Sequence, residues 1–329
     1  MKRRDVIRLL AGVAAASFSL PRATGAQQRG GPPTIGFLGA ISAIGFAKQL
    51  AGFRQGLRDL GYTEGPNLMM EYRWAEGDYA RLPALVTELV RFNVAVIVTH
   101  GTPGTLAAKR TTTTTPIVAA IIGDPIATGV VSSIARPGGN ITGQSFFNPE
   151  LRAKRIEFLK EMEPGLAEVA ILFNPDSPAM VPERQAMEAM AGSLGARLRR
   201  HPASSVGEFE PALDKIAEAG LRAVEIGDDA LMNAYGGMLA ELTAKRRLAS
   251  IGPTEFARAG GLIGYGVDFP AAFRRAPVFV DKILRGANPA DLPFERATRF
   301  EFVVNLRAAK ALGLDLPAAT LLRADEVIE

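Results

Sequence analysis

Apolar and polar positions along the chain switch repeatedly between two periods. Residues 34–38 (Thr-Ile-Gly-Phe-Leu) form a short apolar run, and Phe46, Leu50, Phe53, Leu57 and Leu60 then follow at alternating spacings of four and three. The first pattern reads as a buried strand, and the second draws one stripe along a helix that ends near Gly61. The cycle continues with a strand at 67–74, a helix face of Leu82, Leu85, Val86, Leu89 and Val90, a strand at 94–98, a helix from Thr102 and a strand at 117–122. The run at 94–98 shows no polar alternation, as in parallel strands covered on both faces. Repeated βαβα units of this kind predict an α/β fold with a doubly wound parallel sheet and right-handed crossovers.

The same grammar restarts after the turn Pro137-Gly138-Gly139-Asn140. Strands are predicted at 141–146, 169–173, 197–201, 223–226 and 262–265, with helices at 151–162, 182–194, 208–218 and 231–247 between them. Two successive α/β units of similar size, with no long linker, predict two lobes facing a cleft. The threonine run 111–115 is the one low-complexity patch and reads as a helix end and loop before Pro116. A further strand at 300–304 could join either sheet.

Composition changes this picture in two ways. The 329 residues include no cysteine and two histidines, His100 and His201. That excludes disulfides, thiolate metal sites and cysteine nucleophiles, and leaves little for a histidine metal or acid–base centre. The formal net charge of +4 invites a nucleic-acid partner until its location is considered. Five of the 38 Lys+Arg and one of the 34 Asp+Glu lie in residues 1–26, which leaves 33 of each sign beyond them. The segment has a basic start (Lys2, Arg3, Arg4, Arg8), an apolar run at 9–20 and small residues at Thr24-Gly25-Ala26, the layout of an export signal cleaved near Ala26. Its apolar run is too short for a permanent anchor. Arg3-Arg4 resembles a twin-arginine signal, although Val6 and Lys2 depart from that pattern and leave the general secretory route open. The charge therefore argues for export and not for nucleic acid.

Distributed motifs carry a family resemblance across nearly the whole chain beyond the signal. They include Ile35-Gly36-Phe37-Leu38, Phe53-Arg54-Gln55-Gly56-Leu57, Gly61-Tyr62, Glu64-Gly65 and Glu71-Tyr72-Arg73-Trp74-Ala75-Glu76-Gly77. Arg81-Leu82-Pro83, Gly123-Asp124-Pro125, Arg136-Pro137-Gly138-Gly139-Asn140-Ile141-Thr142-Gly143, 306–313 and the ending Arg323-Ala324-Asp325-Glu326-Val327-Ile328-Glu329 complete the set. The chain resembles the ABC-transporter substrate-binding proteins whose best understood members bind tryptophan or phenylalanine. The resemblance implies a type I periplasmic-binding-protein fold: two Rossmann-like lobes joined by three crossovers and closing by a hinge on a small molecule. By the same implication the protein works in the periplasm as a monomer without cofactors, and passes its ligand to an ABC permease and ATPase complex. Lobe 1 is then expected at 34–146 plus about 267–292, and lobe 2 at 147–266 plus about 293–329.

Ligands of open α/β sheets bind beyond the carboxyl ends of the strands, so the loops there supply the candidates. The foremost is His100-Gly101-Thr102-Pro103-Gly104-Thr105. Thr102 is placed as an N-cap with Pro103 first in the helix, leaving N–H groups near Gly104 and Thr105 for a carboxylate at the positive end of the helix dipole. A plain capped turn is the alternative. Ser42, Asp124, Asn174, Asp228, Glu255 and Tyr265 are further candidates, with Asp124 or Asp228 meeting a polar or cationic end of the ligand. Ser42, Asp124 and Asp228 each have a bland reading as a turn or cap residue. Phe37, Phe146 and Phe147 could stack on an aromatic ligand, or simply fill the core. Walker A, H-E-x-x-H, G-x-S-x-G and strand-following G-x-G-x-x-G motifs are absent from the sequence, so nothing in it demands chemistry or a metal. The alternatives to transport are a periplasmic sensing role and, further off, an exported α/β enzyme.

Overall fold

The computed structural model describes residues 31–146 and 148–329; the segment read as an export signal and Phe147 lie outside the described residues. The first α/β unit runs β1 (Thr34–Gly39), α1 (Ala47–Asp59), β2 (Met69–Trp74), α2 (Leu82–Arg91), β3 (Val96–Thr99), α3 (Gly101–Thr111), β4 (Ile117–Ile122) and β5 (Ile141–Ser145). The second begins with α4 (Asn148–Met162), β6 (Glu168–Phe173), α5 (Met180–Ser193), β7 (Arg197–Pro202), α6 (Phe209–Glu218) and β8 (Ala223–Ile226). It continues with α7 (Ala230–Ala234), α8 (Gly236–Lys245), β9 (Ala249–Gly252), α9 (Thr254–Arg258) and β10 (Ile263–Val267). The last stretch comprises α10 (Phe269–Arg275), α11 (Pro277–Leu284), β11 (Glu295–Arg296), β12 (Phe300–Asn305), α12 (Leu306–Leu312), α13 (Ala318–Leu322) and β13 (Glu326–Ile328).

These strands form two sheets, in the orders β11-β5-β4-β3-β1-β2 and β13-β12-β10-β9-β8-β6-β7. Every pairing in the first sheet is parallel. The second has one antiparallel pair, in which β12 returns along β10 with Tyr265 opposite Phe302. Residues 300–304 thus join the second sheet, while β11 adds to the edge of the first beside β5. The chain passes between the sheets three times: from β5 to α4, from β10 to α10, and from β11 to β12.

Strand alternation explains how each sheet is buried on both faces. On β1 the side chains of Ile35 and Phe37 pack with α1, α10 and α11, and Leu38 packs with α2 and α3 on the other face. The second sheet divides in the same way, with Ile171 and Phe173 on one face and Ala170 and Leu172 on the other. Two glycines bring α10 close to α1. A Cβ on Gly52 would lie 2.5 Å from the Pro270 carbonyl oxygen, and one on Gly56 would lie 2.1 Å from that of Arg274. Their missing side chains let the second crossing lie flat on α1 and place Phe273 among the buried residues of the first sheet.

Two elements depart from the sequence reading. The helix predicted over 231–247 is two helices, broken at Tyr235 where Gly236 and Gly237 follow. Helix α3 begins at Gly101 and not after a Thr102 cap.

Candidate functional site

A cavity lies where the carboxyl ends of strands from both sheets meet. The first sheet contributes Ala40 and Ile41 after β1, His100 to Pro103 after β3, Gly123 after β4 and Phe146 after β5. The second contributes Asp228 and Asp229 after β8 and Glu255 after β9, and α10 adds Phe269 and Phe273. The centre of a water molecule can range over about 100 Å³ inside. One water needs about 10–15 Å³ by that measure, so the space accommodates several waters or a small organic molecule.

The wall from the first sheet is built on the β3–α3 turn. Gly101 turns the chain with a φ of 64°, a conformation that side-chain-bearing residues rarely adopt. The helix therefore starts two residues earlier than a Thr102 cap implies, with His100 at the cap position, and Pro103 lies within its first turn. Thr102 and Pro103 line the cavity, and the Thr102 hydroxyl is without a hydrogen bond among the described residues. The N–H groups of Gly101 and Thr102, which open the helix, also lack acceptors among the described residues. Gly104 and Thr105 lie away from the cavity. A Cβ on Gly104 would be 2.4 Å from Thr99 Oγ1, and the Thr105 hydroxyl donates to the Gly101 carbonyl at 2.8 Å.

His100 is buried in an aromatic cluster. Its ring stacks on Phe46 at 4.3 Å, and Phe273 meets Phe46 edge-on at 5.0 Å. Burial lowers its pKa from the usual 6.5 to about 4, so the ring is neutral near pH 7. Nε2 accepts from the Ala40 N–H at 3.2 Å, which leaves the ring proton on Nδ1. Phe146 and Phe269, themselves edge-to-face at 6.0 Å, extend the apolar lining.

The opposite wall carries three carboxylates. Asp228 is held by Arg155 through both oxygens, at 2.7 and 2.8 Å. Arg155 also donates to Glu225 at 2.9 Å and to the Tyr265 carbonyl at 2.7 Å, and Arg152 pairs with Glu225 as well. All four side chains of this network are at most 3% exposed, so each of these charges is met by an opposite one inside the protein. Burial would push the Glu225 carboxyl up, but Arg152 and Arg155 hold it below the usual glutamate range. The network ties α4 to β8, to the loop after it and to β10. Asp228 thus lines the cavity with both oxygens engaged by Arg155, where the sequence offered a ligand contact or a helix cap.

Asp229 caps α7 through the Leu231 N–H at 3.0 Å and receives Asn174 Nδ2 at 3.2 Å. It also receives the hydroxyl of Tyr79, which follows β2, at 3.0 and 3.1 Å. That bond joins an element of the first sheet to one of the second across the cleft. Burial raises both pKa values, and the tyrosine is held up further by the neighbouring carboxylate. Glu255 is the third. Its Oε2 accepts from the Thr254 hydroxyl at 3.1 Å, and its Oε1 is buried without a hydrogen-bond partner among the described residues. Burial raises its pKa.

The remaining candidates lie outside this cavity. Asp124 closes its own turn, accepting from the N–H groups of Ile126 and Ala127 at 2.9 Å each. Ser42 accepts from the Gly45 N–H at 3.2 Å and, with Asn174, borders an adjacent groove. Tyr265 packs its ring between Phe158, Phe300 and Phe302. Phe37 sits in the core against Phe46 and Phe53. Sequence reasoning missed Tyr79, Phe46, Phe269, Phe273 and the arginine network. One signal was available: Glu225 interrupts the apolar strand Ala-Val-Glu-Ile, and a buried charge there requires a cationic partner.

Among the described residues no group of three or more His, Asp or Glu is placed to hold a metal, and no helix is long and apolar enough to cross a membrane. A conserved domain protein of Vibrio cholerae O1 biovar El Tor superposes with a TM-score of 0.84 at 25% identity, covering 90% of this chain and 99% of that one. An ABC domain from Streptococcus pneumoniae in complex with L-Trp gives 0.83 at 23% identity, covering 90% and 100%. A tyrosine-binding protein of Clostridioides difficile is 21% identical over 281 residues, 85% of this chain and 81% of its own length. Residues 34–328 match the model of one family over almost the whole described length, and the chain belongs to it: the ABC transporter substrate binding proteins.

Proposed function

We propose that the protein is exported, captures an amino-acid-like ligand with an aromatic body in the cleft between its lobes, and delivers it to an ABC permease in the inner membrane. One observation carries this reading: a cavity at the strand ends of both sheets, with open backbone donors on one wall, a buried carboxylate oxygen on the other and an aromatic lining. The N–H groups of Gly101 and Thr102, with the Thr102 hydroxyl, suit a ligand carboxylate at the positive end of α3. Phe46, Phe146, Phe269 and Phe273 suit a planar apolar body. The L-Trp complex and the tyrosine-binding relative support the same ligand class.

Capture follows from closure. The lobes, taken as the two sheets with their helices, move about the three chain crossings, and a ligand touching both walls favours the closed arrangement over the open one. Residues 1–26 direct the chain out of the cytoplasm and are removed near Ala26. Calorimetric titration against the standard amino acids tests the reading. Saturable binding of an aromatic member, weakened several-fold in Thr102→Val, supports it; no heat with any member refutes it.

A further inference from the structure

His100 brings a donor of fixed direction to the aromatic part of the cavity. The backbone is still extended there, with φ −149° and ψ 161°, so strand alternation continues past the end of β3. The side chain therefore leaves on the face of Val98, where Phe46 and Phe273 pack, and not toward the start of α3. Its ring lies 4.3 Å from that of Phe46 and 5.8 Å from that of Phe273, and all three residues line the cavity. Nε2 is taken up as the acceptor for the Ala40 N–H. Burial keeps the imidazole neutral near pH 7, so its one proton is on Nδ1. That atom has no partner among the described residues, yet it is not sealed in: among them, Glu255 Oε1 is the one buried side-chain nitrogen or oxygen left unpaired. His100 as a whole is 7% exposed. A ring so enclosed, with an accessible N–H and a cavity beside it, opens that N–H into the cavity. Once a planar apolar body displaces water there, the donor needs an acceptor on that body or is stranded.

We propose that His100 Nδ1–H recognises an oxygen acceptor on the aromatic ring of the ligand, which selects the phenol of tyrosine over the plain ring of phenylalanine and the indole of tryptophan. The inference rests on the proposed capture of an aromatic amino acid and adds which of them the cleft prefers. A phenol oxygen accepts as well as donates, whereas a benzene ring carries no such oxygen and an indole nitrogen only donates. Phenylalanine would leave the donor unpaired, and tryptophan would set one N–H against another. Gln49 and Asn233 line the same cavity, but their amides can turn to donate or accept and so follow whichever ligand is bound. The imidazole cannot, because the other tautomer would point a proton on Nε2 at the Ala40 N–H. Discrimination of this kind is large because a built polar group is left unsatisfied, whereas one methylene more or less changes little.

The test is calorimetry of the wild-type chain with L-tyrosine, L-phenylalanine and L-tryptophan. A stranded buried donor weakens binding by about tenfold to about a hundredfold, so tyrosine should bind more tightly than phenylalanine by that factor, and more tightly than tryptophan. His100→Leu should bring the ratio of tyrosine to phenylalanine affinity close to one, and His100→Asn, which returns an N–H donor near the Nδ1 position, should recover part of the preference. Circular dichroism melts establish that both variants are folded, and the wild-type comparison stands without them. With two histidines in the chain, NMR of the imidazole protons reads the contact directly: the Nδ1 proton of His100 should move downfield with tyrosine bound and not with phenylalanine. Equal wild-type affinity for tyrosine and phenylalanine, tighter binding of tryptophan, an Nδ1 proton unmoved by bound tyrosine, or a folded His100→Leu that keeps the preference overturns this inference and leaves the capture of an aromatic amino acid intact. Binding of none of the three overturns both.

Discussion

Replacing Tyr79 with Phe tests whether closure of the cleft is held by the bond across it. The hydroxyl donates to both oxygens of Asp229 at 3.0 and 3.1 Å, and the change deletes it while keeping the ring against the cavity. Asp229 retains Asn174 and the Leu231 N–H, so the carboxylate is not stranded. A hydrogen bond to a charged acceptor contributes about 1.5–3 kcal/mol. Because the bond spans the two lobes, its loss falls on the closed state and not on either lobe alone. At about 1.4 kcal/mol per factor of ten, ligand affinity should fall by about tenfold to about a hundredfold. Calorimetry with the amino acid that binds wild type most tightly measures this, and small-angle scattering should show a wider ligand-free particle. Asp229→Asn completes a double-mutant cycle. If the hydroxyl acts through Asp229, the two losses are strongly non-additive; additive losses would assign it to the ligand. Affinity within twofold of wild type in a folded Tyr79→Phe refutes the latch.

Two other predictions concern buried titratable and charged groups. Arg155→Met leaves Asp228 without its two-pronged partner and Glu225 with Arg152, and removal of one member of such a buried set costs about 3–5 kcal/mol. Urea denaturation should show a lower midpoint at unchanged slope, and a loss under about 1 kcal/mol contradicts the structural role. His100 is neutral in the fold down to about pH 4, whereas the unfolded chain takes up a proton near 6.5. Its contribution is constant above 6.5 and is lost as pH falls toward 4, by up to about 3 kcal/mol. Wild type should therefore lose stability more steeply than His100→Gln between pH 6.5 and 4.5, and parallel profiles would argue against a buried neutral ring.

The sequence made the alternation of strands and helices legible because a buried parallel strand leaves an unbroken apolar run and an amphipathic helix a single stripe. The runs at β1, β3 and β4 and the stripe of Leu50, Phe53 and Leu57 on α1 carry that information locally. Pairing between distant segments is not local. Residues 300–304 read as a strand, but their antiparallel place beside β10 depends on a partner some forty residues back in the chain. The cleft was legible as a set of loops, and His100, Thr102, Asp228 and Glu255 all line it. Their roles were not. Asp228 could be read as a ligand contact or a helix cap but not as an ion pair, because its partner Arg155 comes from a helix in another part of the chain, and the cap expected at Thr102 was displaced by the left-handed turn at Gly101. The aromatic lining was hidden for a related reason: Phe269 and Phe273 reach the cavity through a crossing between sheets, where periodicity in one element says nothing about the next.

Native mass spectrometry of the purified protein mixed with an equimolar amino-acid panel reads out capture of an intact amino acid in the cleft. One dominant adduct is expected, of the mass of a single aromatic amino acid, that survives incubation unchanged and is lost in the double variant Thr102→Val/Glu255→Gln. Failure to retain any member of the panel, or conversion of the bound mass to a product, would contradict it.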